Sequence, residues 1–161
     1  MITYKFNTMT FTGHRNNRID TNNTTLITDI ENAIYDSYAK GYRRFMTGMA
    51  QGFDLIAAEA VLRIKNSYPD IKLIAIIPFL GQCRYFSDED KQRYANIMKQ
   101  CDKIKYFSKR YYTGCFHRRN DYLIDNSSLV ISYFDGMKKG GTYYTIQRAI
   151  DKGLTIINIC K

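Results

Sequence analysis

The sequence has no tryptophan, only two prolines, and no apolar run approaching the ~20 residues that a membrane span requires. Its first residues, Met1 to Phe6, lack the basic start, apolar middle and small-residue end of a signal peptide. A cytoplasmic protein with no membrane partner is the expectation. The four cysteines, Cys83, Cys101, Cys115 and Cys160, are widely spaced and form no CxxC pair, which argues against both a disulfide framework and a zinc site. They read as reduced, mostly buried thiols. His14, His117 and Cys115 lack ligand spacing, so no metal and no cofactor are expected beyond a nucleotide-type ligand. No run of five basic residues, low-complexity tract or internal repeat occurs, and with them goes a dedicated nucleic-acid tail. Acidic residues are also few: 15 against 24 basic ones leave a net charge of +9. That excess implies an anionic partner, whether nucleotide, nucleic acid or acidic surface, without choosing among them.

What is present is one domain's worth of chain. The 161 residues, 45% hydrophobic and 24% charged, suffice for a buried core in a single unit. Strand-like runs at about Tyr4–Phe11, Arg43–Thr47, Leu73–Ile77, Lys103–Phe107, Leu129–Phe134 and Leu154–Ile159 alternate with helical patterns. The first helix begins near Thr24 and stops at Gly41, with Leu26, Ile27, Ile30, Ala33, Ile34 and Tyr38 recurring at helical spacing. A second, from about Leu55, stops before Pro69; a third opens at Ser87 with acids in its first turn; a fourth covers about Cys115–Asn126; the last ends at Gly153. Strand and helix in alternation predict a parallel sheet with helices on both faces, a Rossmann-like doubly wound α/β fold.

In such a fold ligands lie outside the carboxyl ends of the strands. Four loops directly follow strands and must share that edge: Thr12-Gly13-His14-Arg15, Gly48-Met49-Ala50-Gln51-Gly52-Phe53-Asp54, Pro78-Phe79, and Asp135 through Gly140-Gly141-Thr142. Gly140 and Gly141 open a helix, where backbone N–H groups and the helix dipole favour an anion. The same glycines with Lys138 and Lys139 also suit an ordinary exposed turn. The helix from Cys115 brings His117, Arg118 and Arg119 to the rim, where positive charge opposes the dipole unless an anion is present. Arg119 is either a phosphate ligand or a surface arginine paired to Asp121 or Asp125. Asp54 either contacts a ribose hydroxyl or simply caps its helix. His14 and Arg15 join the candidate site, although His14 also suits a bond to a loop carbonyl. Tyr111, Tyr112 and Phe116, beside Lys109, Arg110 and Arg118, suit either core and interface packing or a stacking surface for single-stranded nucleic acid. Phe79, Tyr85 and Phe86 are alternative partners for a base.

Together Phe11-Thr12-Gly13-His14-Arg15, Gly48 through Asp54 with Ala58-Glu59, Ile77-Pro78, Gln82, Arg119-Asn120, Asp125 through Ser128, and Asp135-Gly136 with Gly140-Gly141-Thr142 resemble the YpsA-like branch of the SLOG superfamily, over nearly the whole chain and in the family's order. The resemblance implies a Rossmann-like fold that binds nucleotides or their derivatives. Its relatives include LOG-type phosphoribohydrolases, DprA-type DNA-binding proteins and sensor domains for ADP-ribose-type ligands. It also implies pairing into a homo-oligomer. The helix arginine of the LOG-type enzymes matches Arg119, but the positions of their catalytic glutamate hold Tyr144 and Thr145 here. Neither is an anionic base at neutral pH.

Three functional expectations follow. The first is a nucleotide-binding module, acting as a sensor or by sequestration, with Thr12, Gly13, His14, Arg15, Gly48, Met49, Ala50, Gly52, Asp54, Pro78, Phe79, Arg119, Asn120, Asp135, Gly140, Gly141 and Thr142 around the ligand. The second is a phosphoribohydrolase or N-glycosidase with Asp54 or Glu59 as its base. The third is a DprA-like binder of single-stranded nucleic acid, supported by the net charge.

Overall fold

A computed structural model describes residues 4–20 and 22–161. Its centre is one six-stranded parallel sheet, built from β1 (Thr8–Gly13), β2 (Arg44–Thr47), β3 (Lys72–Ile77), β4 (Lys103–Tyr106), β5 (Leu129–Tyr133) and β6 (Thr155–Asn158) in the order β4-β3-β2-β1-β5-β6. Between them lie α1 (Leu26–Ala39), α2 (Phe53–Lys65), α3 (Asp88–Gln100), α4 (Cys115–Asp125) and α5 (Gly141–Asp151). This is the α/β, Rossmann-like architecture expected from the alternation. The first strand begins later than expected. Lys5–Asn7 form a 3-10 turn instead, and β1 extends through Gly13 because Met9 to Gly13 pair in register with Leu129 to Tyr133.

Burial follows sheet position. β3 and β5 carry apolar side chains on both faces and are buried almost throughout, whereas the edge strands β4 and β6 remain half exposed. α2 packs against α1, α3 and the strands β1 to β3, while α4 and α5 pack against each other on the opposite face. Right-handed crossovers require this division, since the chain winds outward from β1 to β4 and then returns across the sheet to β5. The direction of winding therefore changes between β1 and β5. Their carboxyl ends diverge there and leave a crevice.

Local signals fix the helix ends. Ser87 Oγ accepts the N–H of Asp90 at 3.1 Å, and Asp88, Glu89 and Asp90 occupy the first turn of α3. Gly41, at φ +100°, ends α1 in the left-handed conformation. A chain of rings, Phe45, Phe11, Phe53 and Tyr133, with successive centroids 6.0 to 6.4 Å apart, runs through the core under the crevice. Cys115 alone among the four cysteines is buried; Cys83, Cys101 and Cys160 are half buried, and all four are free thiols.

Candidate functional site

The crevice holds a cavity of about 180 Å3, lined by Thr12, Gly13, His14 and Arg15 after β1, Ala50 and Asp54 after β2, Asn120 and Arg119 on α4, and Gly141 and Thr142 at the start of α5. Asn17, Arg18 and Phe116 complete its wall. The backbone can close round so small a space because three side chains are missing. A Cβ on Gly13 would lie 2.5 Å from the Phe53 ring, and one on Gly48 would lie 2.7 Å from the Arg119 guanidinium. Gly52, at φ +87°, passes so close to the loop after β1 that a Cβ would meet His14 O at 2.5 Å.

Arg119 is the structural centre of the site. Only 4% exposed, it donates from Nη1 to the carbonyl oxygen of Gly48 and to Gln82 Oε1 at 3.0 Å, and from Nε to Asn120 Oδ1 at 2.8 Å. Gln82 in turn donates from Nε2 to the carbonyls of Gly48 and Met49, at 3.1 and 3.2 Å. Burial lowers the Arg119 guanidinium to about 10, which still leaves it cationic at neutral pH. Its neighbours on α4 turn elsewhere: His117 stacks flat on Tyr144 with centroids 4.1 Å apart, and Arg118 donates to Tyr112 Oη at 3.1 Å.

Asp54, 7% exposed, faces the same cavity. Oδ2 accepts the Ala50 N–H at 3.2 Å, while Oδ1 is buried with no hydrogen-bond partner. Burial pushes the carboxyl up to about 6, against the opposing pull of Arg119 and the Ala50 N–H. The two charges share one small chamber without a direct hydrogen bond between them. A buried polar atom left unpaired costs about 1–3 kcal/mol, and more when charged, so this arrangement is expensive unless a third group supplies the missing donor.

His14 and Asp135 build the opposite corner. The Asp135 N–H donates to His14 Nε2 at 3.0 Å, which makes the imidazole an acceptor there. Burial and the Arg18 charge hold His14 below its ordinary value. Asp135 is itself held by Arg18 through bonds of 2.6 to 3.0 Å, so its carboxylate is already paired and stays far below the usual range.

A family model of the YspA SLOG family matches residues 9–155, and so takes in every one of these elements. The chain belongs to the YpsA family of SLOG proteins. The UPF0398 proteins of Bacillus cereus strain G9842 and Bacillus thuringiensis strain Al Hakam are each 33% identical over 104 residues, covering 63% of this chain and 56% of theirs. The chain thus spans little more than half the length of these relatives.

Within this SLOG chain, the residues singled out from sequence fall into three groups. Thr12, Gly13, His14, Arg15, Ala50, Asp54, Arg119, Asn120, Gly141 and Thr142 meet in the small cavity. Gly48, Gly52, Gly140 and Asp135 shape it from behind, Gly140 as the N-cap of α5 at φ +93°. Met49, Pro78 and Glu59 do not reach it. Met49 holds a left-handed φ of +59°, fully buried in the core. Glu59 lies on another surface, bonded to Arg93 at 2.6 Å; five residues after Asp54, it is turned about 140° round α2 and so faces away from the chamber.

Phe79 belongs instead to a second cavity, of about 770 Å3, that adjoins the first through Arg15 and Phe116 and is bounded by the loops after β3 and β4. Asn17, Arg18, Phe116 and Gln82 are the contributors that local pattern did not assign to this site; Phe116 stood only in the aromatic surface, and Gln82 carried a signal only through the family resemblance. At the LOG-type glutamate positions, Tyr144 donates to Asp121 Oδ1 at 2.8 Å and Thr145 donates to the Gly141 carbonyl at 2.9 Å. Among the described residues no group of three histidine, cysteine or acidic side chains is placed to hold a metal, and no helix is long and apolar enough to cross a membrane.

Proposed function

We propose that this chain binds a phosphorylated nucleoside of the ADP-ribose type in the crevice between β1 and β5, and acts as a sensor of that ligand or by sequestering it. The reading rests on one observation: the unpaired, buried Oδ1 of Asp54 and the buried guanidinium of Arg119 face a single small chamber at the start of α5. A sugar hydroxyl supplies the donor that Asp54 lacks. A phosphate takes the backbone N–H groups of Gly141 and Thr142 and the positive charge of Arg119 and Arg15. The test is thermal unfolding with a panel of nucleoside monophosphates, nucleoside diphosphates and ADP-ribose. A ligand at a hundred times its Kd adds about 2.7 kcal/mol by mass action. If none raises the midpoint, the reading fails.

The carboxyl of Asp54 favours a second reading, an N-glycosidic or phosphoribosyl hydrolase. A free carboxylate oxygen on a group held near 6 has the properties of a general base at neutral pH. Release of free base from nucleoside monophosphates, lost in Asp54→Asn, would carry this reading over simple binding.

A further inference from the structure

The second cavity is built unlike the first. Five rings line it, and three of them cluster: Phe79 meets Tyr111 and Phe116 edge-on, with centroids 5.7 and 6.0 Å apart, and Tyr111 and Phe116 close the triangle at 6.2 Å, with Tyr85 and Phe86 on the remaining wall. Around them stand Arg15, Arg84, Lys109 and Arg110, and the lining contains no aspartate or glutamate. Nor does any of these four cations form an ion pair with a carboxylate among the described residues, although eight other lysines and arginines do. A surface so rich in uncompensated positive charge beside an aromatic cluster of one exposed ring, Tyr111, and two half-buried ones suits a planar group carrying its own anion. The first chamber, at about 180 Å3, is smaller than the ~300 Å3 at which ligand pockets ordinarily begin, so it holds only part of a nucleotide.

We infer that the two cavities form one bipartite site for a nucleoside phosphorylated at both ends, a nucleoside 3′,5′-bisphosphate. The inference rests on the nucleotide reading of the first chamber and specifies which nucleotide. The 5′-phosphate and ribose occupy the chamber of Asp54 and Arg119. Phe116, which lines both cavities, passes the base to the rings of Phe79 and Tyr111. The second phosphate reaches Arg84, Lys109 and Arg110, which are exposed at the outer rim.

The test is isothermal titration of the full chain with adenosine 5′-monophosphate and with adenosine 3′,5′-bisphosphate, in the unaltered protein and in the double variant Lys109→Ala/Arg110→Ala. These positions are exposed, so the fold is retained; circular dichroism checks this, and Arg84→Ala provides an independent second variant. The bisphosphate is expected to bind about tenfold more tightly than the monophosphate, the scale of one added charge-assisted contact. The variants should remove that preference while leaving monophosphate affinity within about twofold. Equal binding of the two ligands, or a preference that survives in both variants, overturns the inference and leaves the nucleotide reading intact. Failure of the unaltered protein to bind either ligand overturns both.

Discussion

Asp54 and Arg119, opposite in charge and both buried on the floor of the crevice, share one chamber without a hydrogen bond between them. Each instead bonds to backbone or neutral side chains around the space they enclose. Two buried charges not in contact weaken the fold, a cost that the proposed ligand would offset.

Asp54→Asn is therefore expected to stabilise the unliganded protein. The amide keeps an acceptor for the Ala50 N–H and removes a carboxylate that burial disfavours. The folded-state value is raised, so the native contribution of Asp54 is intact below about 4 and is lost as pH rises through about 6. Urea unfolding of the two proteins should give nearly equal stability at pH 4, with the variant ahead by about 1–3 kcal/mol above pH 6.5. A variant less stable than the parent at pH 7 would contradict this account.

Arg119 has the opposite balance. Removing its side chain leaves the Gly48 carbonyl and Gln82 Oε1 with fewer donors inside the fold, so Arg119→Ala should cost about 2–4 kcal/mol as well as nucleotide binding. Arg119→Lys keeps the charge but not the planar fork that serves Gly48, Gln82 and Asn120 at once. It should unfold at an intermediate denaturant concentration and bind nucleotide at least tenfold more weakly.

The two glycines differ in how their surroundings yield. Gly13→Ala drives a Cβ against the core ring of Phe53 at 2.5 Å, an overpacking that should cost about 1–3 kcal/mol. Gly48→Ala pushes instead on the end of Arg119. It should reduce ligand affinity by a larger factor than its effect on the unfolding midpoint implies, which paired calorimetry and thermal unfolding would reveal.

His14 titrates in the contrary sense to Asp54. Its folded-state value is depressed by burial and by Arg18, so its contribution is full above about 6.5 and is lost as pH falls below that value. Nitrogen chemical shifts should show a neutral ring protonated on Nδ1 at pH 6.5, with Nε2 accepting from Asp135. A charged His14 at that pH would exclude the acceptor role.

The sheet, its parallel order and the rim were legible in the sequence because each strand ends in a distinctive loop and the winding rule places all such loops together. Arg119 and Asp54 were legible as rim residues. Their burial was not, since nothing local distinguishes the two alternatives for either. Glu59 follows Asp54 by five residues, a spacing that turns it about 140° round α2 and off the Asp54 side; the periodicity already excluded it from the rim, and only its partner, Arg93 of α3, was not legible. Gln82 escaped chemical notice because a lone glutamine carries no spacing; its role arises only where the loops after β2 and β3 meet α4.

Asp90 lies on α3 and lines neither cavity, yet its Oδ2 accepts from Asn16 Nδ2 and from Gln51 Nε2, both at 3.0 Å, while Arg93 holds Oδ1 at 2.9 Å. One carboxylate thereby fastens the segments after β1 and β2 to the same helix. On the nucleotide-binding reading, a ligand entering between them would meet walls already braced against each other, so little chain freedom would be surrendered on arrival and the rate of capture would be set by diffusion and charge attraction.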